Sequence, residues 1–363
     1  MHVMDALVSH GVLLVDLTDG GTTFHAAEAV SKMWKAAEKF FELVQNEEVS
    51  SKLPGMIAVL ETGSQHAKVG YASYDEGSTM FLETRRERKT GSLLPEETYD
   101  IIGSDGVTAL HDAFELLAEV GKDVVRIATV ASSIEHGAFM ETSTNDRDQR
   151  IQASYAASLL ANELVDDGKP LSAKFEVQHS EGSISMSPHR LCSYSDKGLD
   201  ESVPAREVFG AHTDASFVTI VPVAAVSGLE VYDESVEKWY RPELRARSDF
   251  EEVEVSRGHD AVTPPAVSCD PGLPWYSRYV CVMPGEILQL TTRDEVPAAV
   301  HRVVASRVGP SRLSAPILLR PRPGVKFLAE RYLGGTLGNP LLEECNGMMM
   351  EDIFKATQPS SNK

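Results

Sequence analysis

His212-Thr213-Asp214-Ala215-Ser216-Phe217-Val218-Thr219-Ile220 is the stretch on which the reading of this 363-residue chain turns. An imidazole and a carboxylate stand two residues apart, followed by an apolar run rich in β-branched residues. On an extended strand, residues two apart point to one face, so His212 and Asp214 present their donors together while Thr213 turns away. His212 opens the only His-x-Asp in the chain.

Working outward, His301 lies in an apolar run from Pro297 to Val304 that reads as a buried strand. After a gap of ten residues, Arg312 and Ser314 are again two apart, in the only Arg-x-Ser of the sequence. Two imidazoles and a carboxylate are the donor set of a facial Fe(II) site, which leaves coordination positions open. A guanidinium with a hydroxyl beside it suits a ligand's carboxylate. Taken singly, each residue has a plain structural role, and it is their joint occurrence in this order that points to chemistry. A second pair, His179 and Glu181, has no His and Arg-x-Ser of its own downstream and is assigned to the surface.

From about Ala173 onward, short β-rich runs recur at Ile184–Tyr194, Ser216–Val223, Leu229–Tyr232, Tyr279–Met283, Ile287–Thr291, Ala299–Val304 and Leu313–Leu319. Broken by Gly and Pro turns, they predict an antiparallel sandwich or small barrel. Asp233–Pro274, acidic and proline-rich, reads as one long loop. The N-terminal half reads as mostly helical. Phe24–Gln45 carries Ala27, Val30, Trp34, Ala37, Phe40, Phe41 and Val44 at helical spacing, as do Val107–Ile134 and Arg147–Leu164 in their turn. Gly11–Leu17 reads as a short strand, Met56–Phe81 as irregular connection, Met348–Phe354 as part of a terminal helix, and Gln358–Lys363 as a frayed tail. The division expected is a helical region over 1–170, a β core over 171–325 and a C-terminal helical segment over 326–363, all in one compact unit.

Acidic residues outnumber basic ones by 54 to 34, for a net charge of -20, which disfavours nucleic acid and anionic membranes as partners. No apolar run approaches a membrane span and no basic flank precedes a leader-like segment, so the expectation is a soluble, cytoplasmic chain. Cys192, Cys269, Cys281 and Cys345 form no Cys-x-x-Cys pair and read as ordinary thiols.

At this point the residues resemble the isopenicillin N synthase-like family of Fe(II)/2-oxoglutarate-dependent oxygenases, over most of the chain. His212–Ile220 is similar to the family's iron-ligand strand, Gly228-Leu229-Glu230-Val231 to its Gly-Leu-Gln-Val hairpin, and Pro284–Leu288 to its Gly-Asp-x-Leu turn. His301-Arg302-Val303 matches its His-Arg-Val, Arg312–Pro321 looks like its Arg-x-Ser strand, and Arg190–Tyr194 its Arg-x-Asn-x-Tyr segment. Ala36–Leu43 and Gly70-Tyr71 resemble its helical region. The resemblance implies a double-stranded β-helix (jelly roll, cupin-like) barrel with Fe(II) on His212, Asp214 and His301. It further implies 2-oxoglutarate held at its C5 carboxylate by Arg312, Ser314 and Tyr194, O2 as oxidant and ascorbate as an optional reductant. The activity implied is hydroxylation, desaturation or ring closure of a small-molecule metabolite of secondary metabolism, with succinate and carbon dioxide released, by a monomer.

The sequence departs from the pattern in places. Cys192 stands where the family has Asn, Thr292-Arg293-Asp294-Glu295 replaces Ser-Asn-Gly, and 86 residues lie between Asp214 and His301. The retained Asp214 argues against halogenation. Competing readings are an Fe(II) oxidase that grips its substrate's own carboxylate with Arg312 and Ser314, a non-catalytic binding module, and a zinc hydrolase. The last is disfavoured because no general base is evident beside the metal. Phe217, Tyr71, the loop before His301 and the Met-rich C-terminal segment are the candidate pocket walls.

Overall fold

The computed structural model describes residues 3–18, 24–55, 58–62, 65–74, 78–140, 142–143, 145–171, 182–195, 207–249, 273–304 and 311–357. His179, Glu181, most of the Asp233–Pro274 stretch and the tail Gln358–Lys363 lie outside the described residues.

Two antiparallel sheets form the centre. The larger has ten strands: β1 (Leu13–Asp16), β2 (Ala58–Thr62), β3 (Gln65–Tyr74), β4 (Thr79–Arg86), β5 (Leu93–Leu94), β6 (His189–Tyr194), β8 (Val218–Pro222), β11 (Tyr279–Pro284), β13 (Arg312–Ser314) and β14 (Ile317–Leu319). Its order is β1-β11-β8-β14-β6-β4-β3-β2, with β13 also on β6 and β5 on β4. The smaller sheet runs β10 (Lys238–Tyr240), β9 (Leu229–Asp233), β12 (His301–Val304), β7 (Glu207–His212). No strand pair joins the two sheets among the described residues. The arrangement is therefore a two-sheet sandwich, one of the two architectures the strand pattern predicts, and the barrel implied by the resemblance is not closed among the described residues.

Helices cover the larger sheet. The short α1 (Val3–His10) and α3 (Glu47–Ser50) stand before and after α2 (Phe24–Leu43) in the chain. In α2 the side chains of Val30, Met33, Trp34, Ala37, Phe40 and Phe41 are buried, as the three-and-four spacing requires. α4 (Thr98–Glu135) extends nine residues before the predicted start and bends at Gly103, whose φ of 76° suits a residue without a Cβ. It lies so close to the sheet that a Cβ on Gly121 would meet Leu319 Cδ1 at 2.6 Å and Ile220 Cδ1 at 2.8 Å. α5 (Asp146–Glu163) packs on α4 and starts at an Asn145 cap that accepts from Asp148 N. Short helices Ala329–Leu333, Pro340–Cys345 and Met350–Thr357 close the C-terminal end, where a helical segment was expected.

Four local expectations are corrected. Ile287–Thr291 is helical, within Glu286–Thr291, and not a strand: five residues with three apolar side chains fit either period, and here the threonine hydroxyl of Thr291 bonds back to Ile287 O at 2.9 Å. Met56–Phe81 is not irregular but supplies β2, β3 and part of β4. Pairing of β4 with β6 stabilises strands that their Gly, Ser and Ala content does not advertise. Leu313–Leu319 is broken between β13 and β14 at Ala315-Pro316, since proline has no N–H to give a ladder. Asp233–Pro274 is not one loop: it opens with β10 and a helix over 242–249.

Candidate metal centre and active-site cavity

The two sheets face each other across a cavity lined from both sides. β12 pairs antiparallel with β7 and puts His301 directly opposite His212, with ring centroids 4.3 Å apart. Asp214 is not on the strand with His212, because β7 ends at His212 and Asp214 sits in the turn that leads to β8. The turn still brings them together: Asp214 Oδ1 is 3.7 Å from His212 Nε2, and Oδ2 is 3.5 Å from His301 Nε2. One donor atom from each of the three lies within 4.8 Å of the others, and no other such group occurs among the described residues.

The donor set fits a divalent metal. His212 Nδ1 lies 2.7 Å from Gly210 O and His301 Nδ1 lies 3.1 Å from Ala299 O. With the ring proton held on Nδ1 by a carbonyl, each Nε2 lone pair is directed at the shared space. Burial, then the neighbouring His301, hold His212 below its ordinary pKa despite Asp214, which favours the neutral ligand form. Thr219 donates its hydroxyl to Asp214 Oδ2 at 2.5 Å and orients the carboxylate. The Asp214 turn is clamped from behind: Glu286 N donates to Asp214 O at 2.9 Å, and a Cβ on Gly285 would meet Ser216 O at 2.3 Å and Asp214 O at 2.7 Å. Only glycine lets the two turns approach so closely.

Arg312, Ser314 and Tyr194 meet at one end of the same cavity. Register places Arg312 opposite Tyr194 and Ser314 opposite Cys192, and the Arg312 guanidinium lies 5.9 Å from the Tyr194 ring centroid. Arg312 is 1% exposed, yet its Nε and Nη1 have no hydrogen-bond acceptor. Two orphaned donors on a buried cation are what a ligand's carboxylate would satisfy. Burial, and then Cys192, push the Tyr194 phenol well above its ordinary pKa, so it stays a hydroxyl donor. Cys192 is itself buried and raised to about 11, an inert thiol at the position where asparagine was expected.

Sequence reasoning missed Glu243. It falls in the helix over 242–249, inside the stretch read as loop, and its Oε1 accepts from Arg312 Nη2 at 2.8 Å with both side chains 1% exposed. Its Oε2 accepts from Gly228 N at 2.6 Å and Leu229 N at 3.1 Å. Gly228 must lack a side chain, since a Cβ would lie 2.6 Å from Arg312 Cδ. No sequence signal marks a contact across 69 positions. Of the expected pocket walls, Phe217 is fully buried in the main core, Tyr71 packs on Phe40, and Met350 is buried, so none of these lines the cavity. Phe209, Val221, Leu229, Met283 and Leu318 line it instead.

No family model matches the chain, and no curated protein matches its sequence. Solved structures do match. A full-length Neurospora crassa protein in complex with alpha-KG and 5-formyluracil is 16% identical with a TM-score of 0.52, covering 94% of this chain and 88% of that one. The same protein with alpha-KG and thymine is 15% identical with a TM-score of 0.51, covering 94% and 90%. The chain therefore shares its fold with this Neurospora crassa protein. At this identity the likeness is one of fold.

Proposed function

We propose that this chain is an Fe(II)- and 2-oxoglutarate-dependent oxygenase acting on a small molecule. The observation that carries the reading is the convergence of His212 Nε2, Asp214 and His301 Nε2 on one point, in the cavity that also receives the orphaned guanidinium donors of Arg312. Agreement in fold with the Neurospora crassa protein, which was crystallised with alpha-KG, supports the choice of cosubstrate.

In this reading His212, Asp214 and His301 hold Fe(II). When bound, the ion supplies oxygen activation coupled to decarboxylation of 2-oxoglutarate, so that substrate C–H, O2 and 2-oxoglutarate give hydroxylated product, succinate and carbon dioxide. The chain's own residues do the positioning. Arg312 Nε and Nη1, with the hydroxyls of Ser314 and Tyr194, receive the C5 carboxylate, while Glu243 fixes the guanidinium from the far side. Gly210 O and Ala299 O hold the imidazole tautomers and Thr219 holds the carboxylate, so the ligands need no rearrangement to bind. Val221, Leu229 and Met283 keep the wall between these groups apolar and exclude water from the cosubstrate. The described residues contain no helix long and apolar enough to cross a membrane, and a small molecule suits the cavity between the sheets.

Two measurements test this. Calorimetric titration should show 2-oxoglutarate binding that depends on Fe(II) and disappears in His212→Ala. Screening of candidate metabolites should then give substrate-dependent succinate release by the wild type alone. A chain that binds neither Fe(II) nor 2-oxoglutarate refutes the proposal.

A further inference from the structure

The cavity has a second cationic end. Arg190, Cys192 and Tyr194 alternate along β6 and all line it, as do Arg312, Ser314, Pro316, Leu318 and Arg320 along β13, β14 and the residue that follows. Tyr194 and Arg312 thus stand at one end of a row of neutral side chains, with Arg190 and Arg320 toward the other. Arg190 lies four residues from Tyr194, roughly 13 Å along the strand at ~3.3 Å per residue, which is longer than a five-carbon dicarboxylate spans.

Charge is unbalanced at this end. Glu83 is shared between two arginines: Oε1 accepts from Arg85 Nη2 at 2.7 Å, and Oε2 from Arg190 Nε at 3.0 Å and Nη2 at 2.5 Å. Arg85 is further saturated by the carbonyls of Lys68, Ser185 and Met186. Arg320 makes no ion pair among the described residues, and its buried Nε has no acceptor. An aromatic ring holds it in place, with its guanidinium 5.2 Å from the Phe354 ring centroid. Three guanidiniums therefore share one carboxylate, since Asp214 belongs to the metal centre. Burial, and then repulsion from Arg85, pull Arg320 down to about 9 against the attraction of Glu83 and Asp214.

We propose that Arg320 and Arg190 form an anion site that seats a carboxylate of the oxidised substrate, at the end of the cavity remote from the cosubstrate's C5 carboxylate. The proposal rests on the oxygenase reading for the word substrate, while the site itself rests only on the unpaired guanidinium and the shared Glu83. A carboxylate there neutralises Arg320 and points the rest of the molecule along the cavity, past Pro316 and Leu318, toward the triad. Arg320 is a binding residue in this scheme, and Arg190 contributes the Nη1 that Glu83 does not engage.

The test is a calorimetric titration of the full-length chain with benzoate, phenylacetate and 3-phenylpropanoate, each beside its neutral amide. It is run anaerobically with Fe(II) and 2-oxoglutarate, and again with neither. At least one carboxylate should bind about tenfold or more tightly than its amide, in both conditions. The preference should vanish in Arg320→Met, persist in part in Arg320→Lys, and survive Arg312→Met. Circular dichroism qualifies each variant, and Arg320→Gln carries the same comparison should Arg320→Met unfold. Equal binding of every acid and amide, a preference that survives loss of the Arg320 charge, or one lost in Arg312→Met instead, overturns the proposal. Because the metal-free titration involves no turnover, a failed oxygenase reading leaves its outcome intact, and the reverse also holds.

Discussion

Arg312 and Glu243 form an ion pair of 2.8 Å with both side chains 1% exposed, and the same glutamate caps the backbone N–H groups of Gly228 and Leu229. Removing Glu243 would leave a buried cation and two backbone donors without partners. Glu243→Ala should cost about 3–5 kcal/mol in urea unfolding, the range for a broken buried pair. Glu243→Gln keeps an acceptor and should cost less. Equal stability of Glu243→Ala and the wild type would show that the pair does not form.

Thr219 touches Asp214 and no other candidate ligand. Thr219→Val preserves its shape and deletes the 2.5 Å hydrogen bond. Fe(II) affinity should fall by about 10–100-fold, as for the loss of other groups that orient a ligand. Asp214→Ala should abolish binding, and equilibrium dialysis distinguishes the two.

Gly285 lets two turns meet, with carbonyl oxygens at 2.3 and 2.7 Å from where a Cβ would stand. Both neighbours are backbone and cannot swing aside. Gly285→Ala should therefore destabilise the fold by about 1–3 kcal/mol in thermal or urea melts and weaken metal binding together with it, since the displaced turn carries Asp214.

His189 is buried with neither ring nitrogen hydrogen-bonded, and burial lowers its pKa from 6.5 to about 4. The unfolded chain thus binds a proton between these values that the folded chain does not. Stability from this residue is fully present above pH 6.5 and is lost as pH falls toward 4, by on the order of 3 kcal/mol in all. His189→Leu should flatten the stability curve across that window. A slope unchanged by the substitution would mean that His189 is not the group responsible.

The helices were legible because Val30, Trp34, Phe40 and their equivalents in α4 repeat at a spacing that only a helix can bury on one side. The cluster of His212, Asp214 and His301 was legible because its residue types are uncommon in combination, although the route to Asp214 differs: a turn held by Gly285, and not strand alternation, brings it to the histidines. β2 to β4 were not legible. Their stability comes from the β6 edge more than a hundred residues away, and local composition carries no trace of it. Glu243 and Arg320 escaped for a related reason. A charged residue in an acidic stretch, or at the end of a strand motif, acquires its meaning only from the cavity it helps to line.

Strand β1 is made from residues near the start of the chain, yet it is zipped to β11, and Arg278 grips Asp16 across 262 positions. On the ribosome, most of the polypeptide must emerge before that edge exists. Until then the β1 segment lacks its only strand partner among the described residues, although α1 and α2 can already pack on α4. Strand β1 is thus made early and paired late, and a chain stalled before β11 leaves that edge open to chaperones or to aggregation.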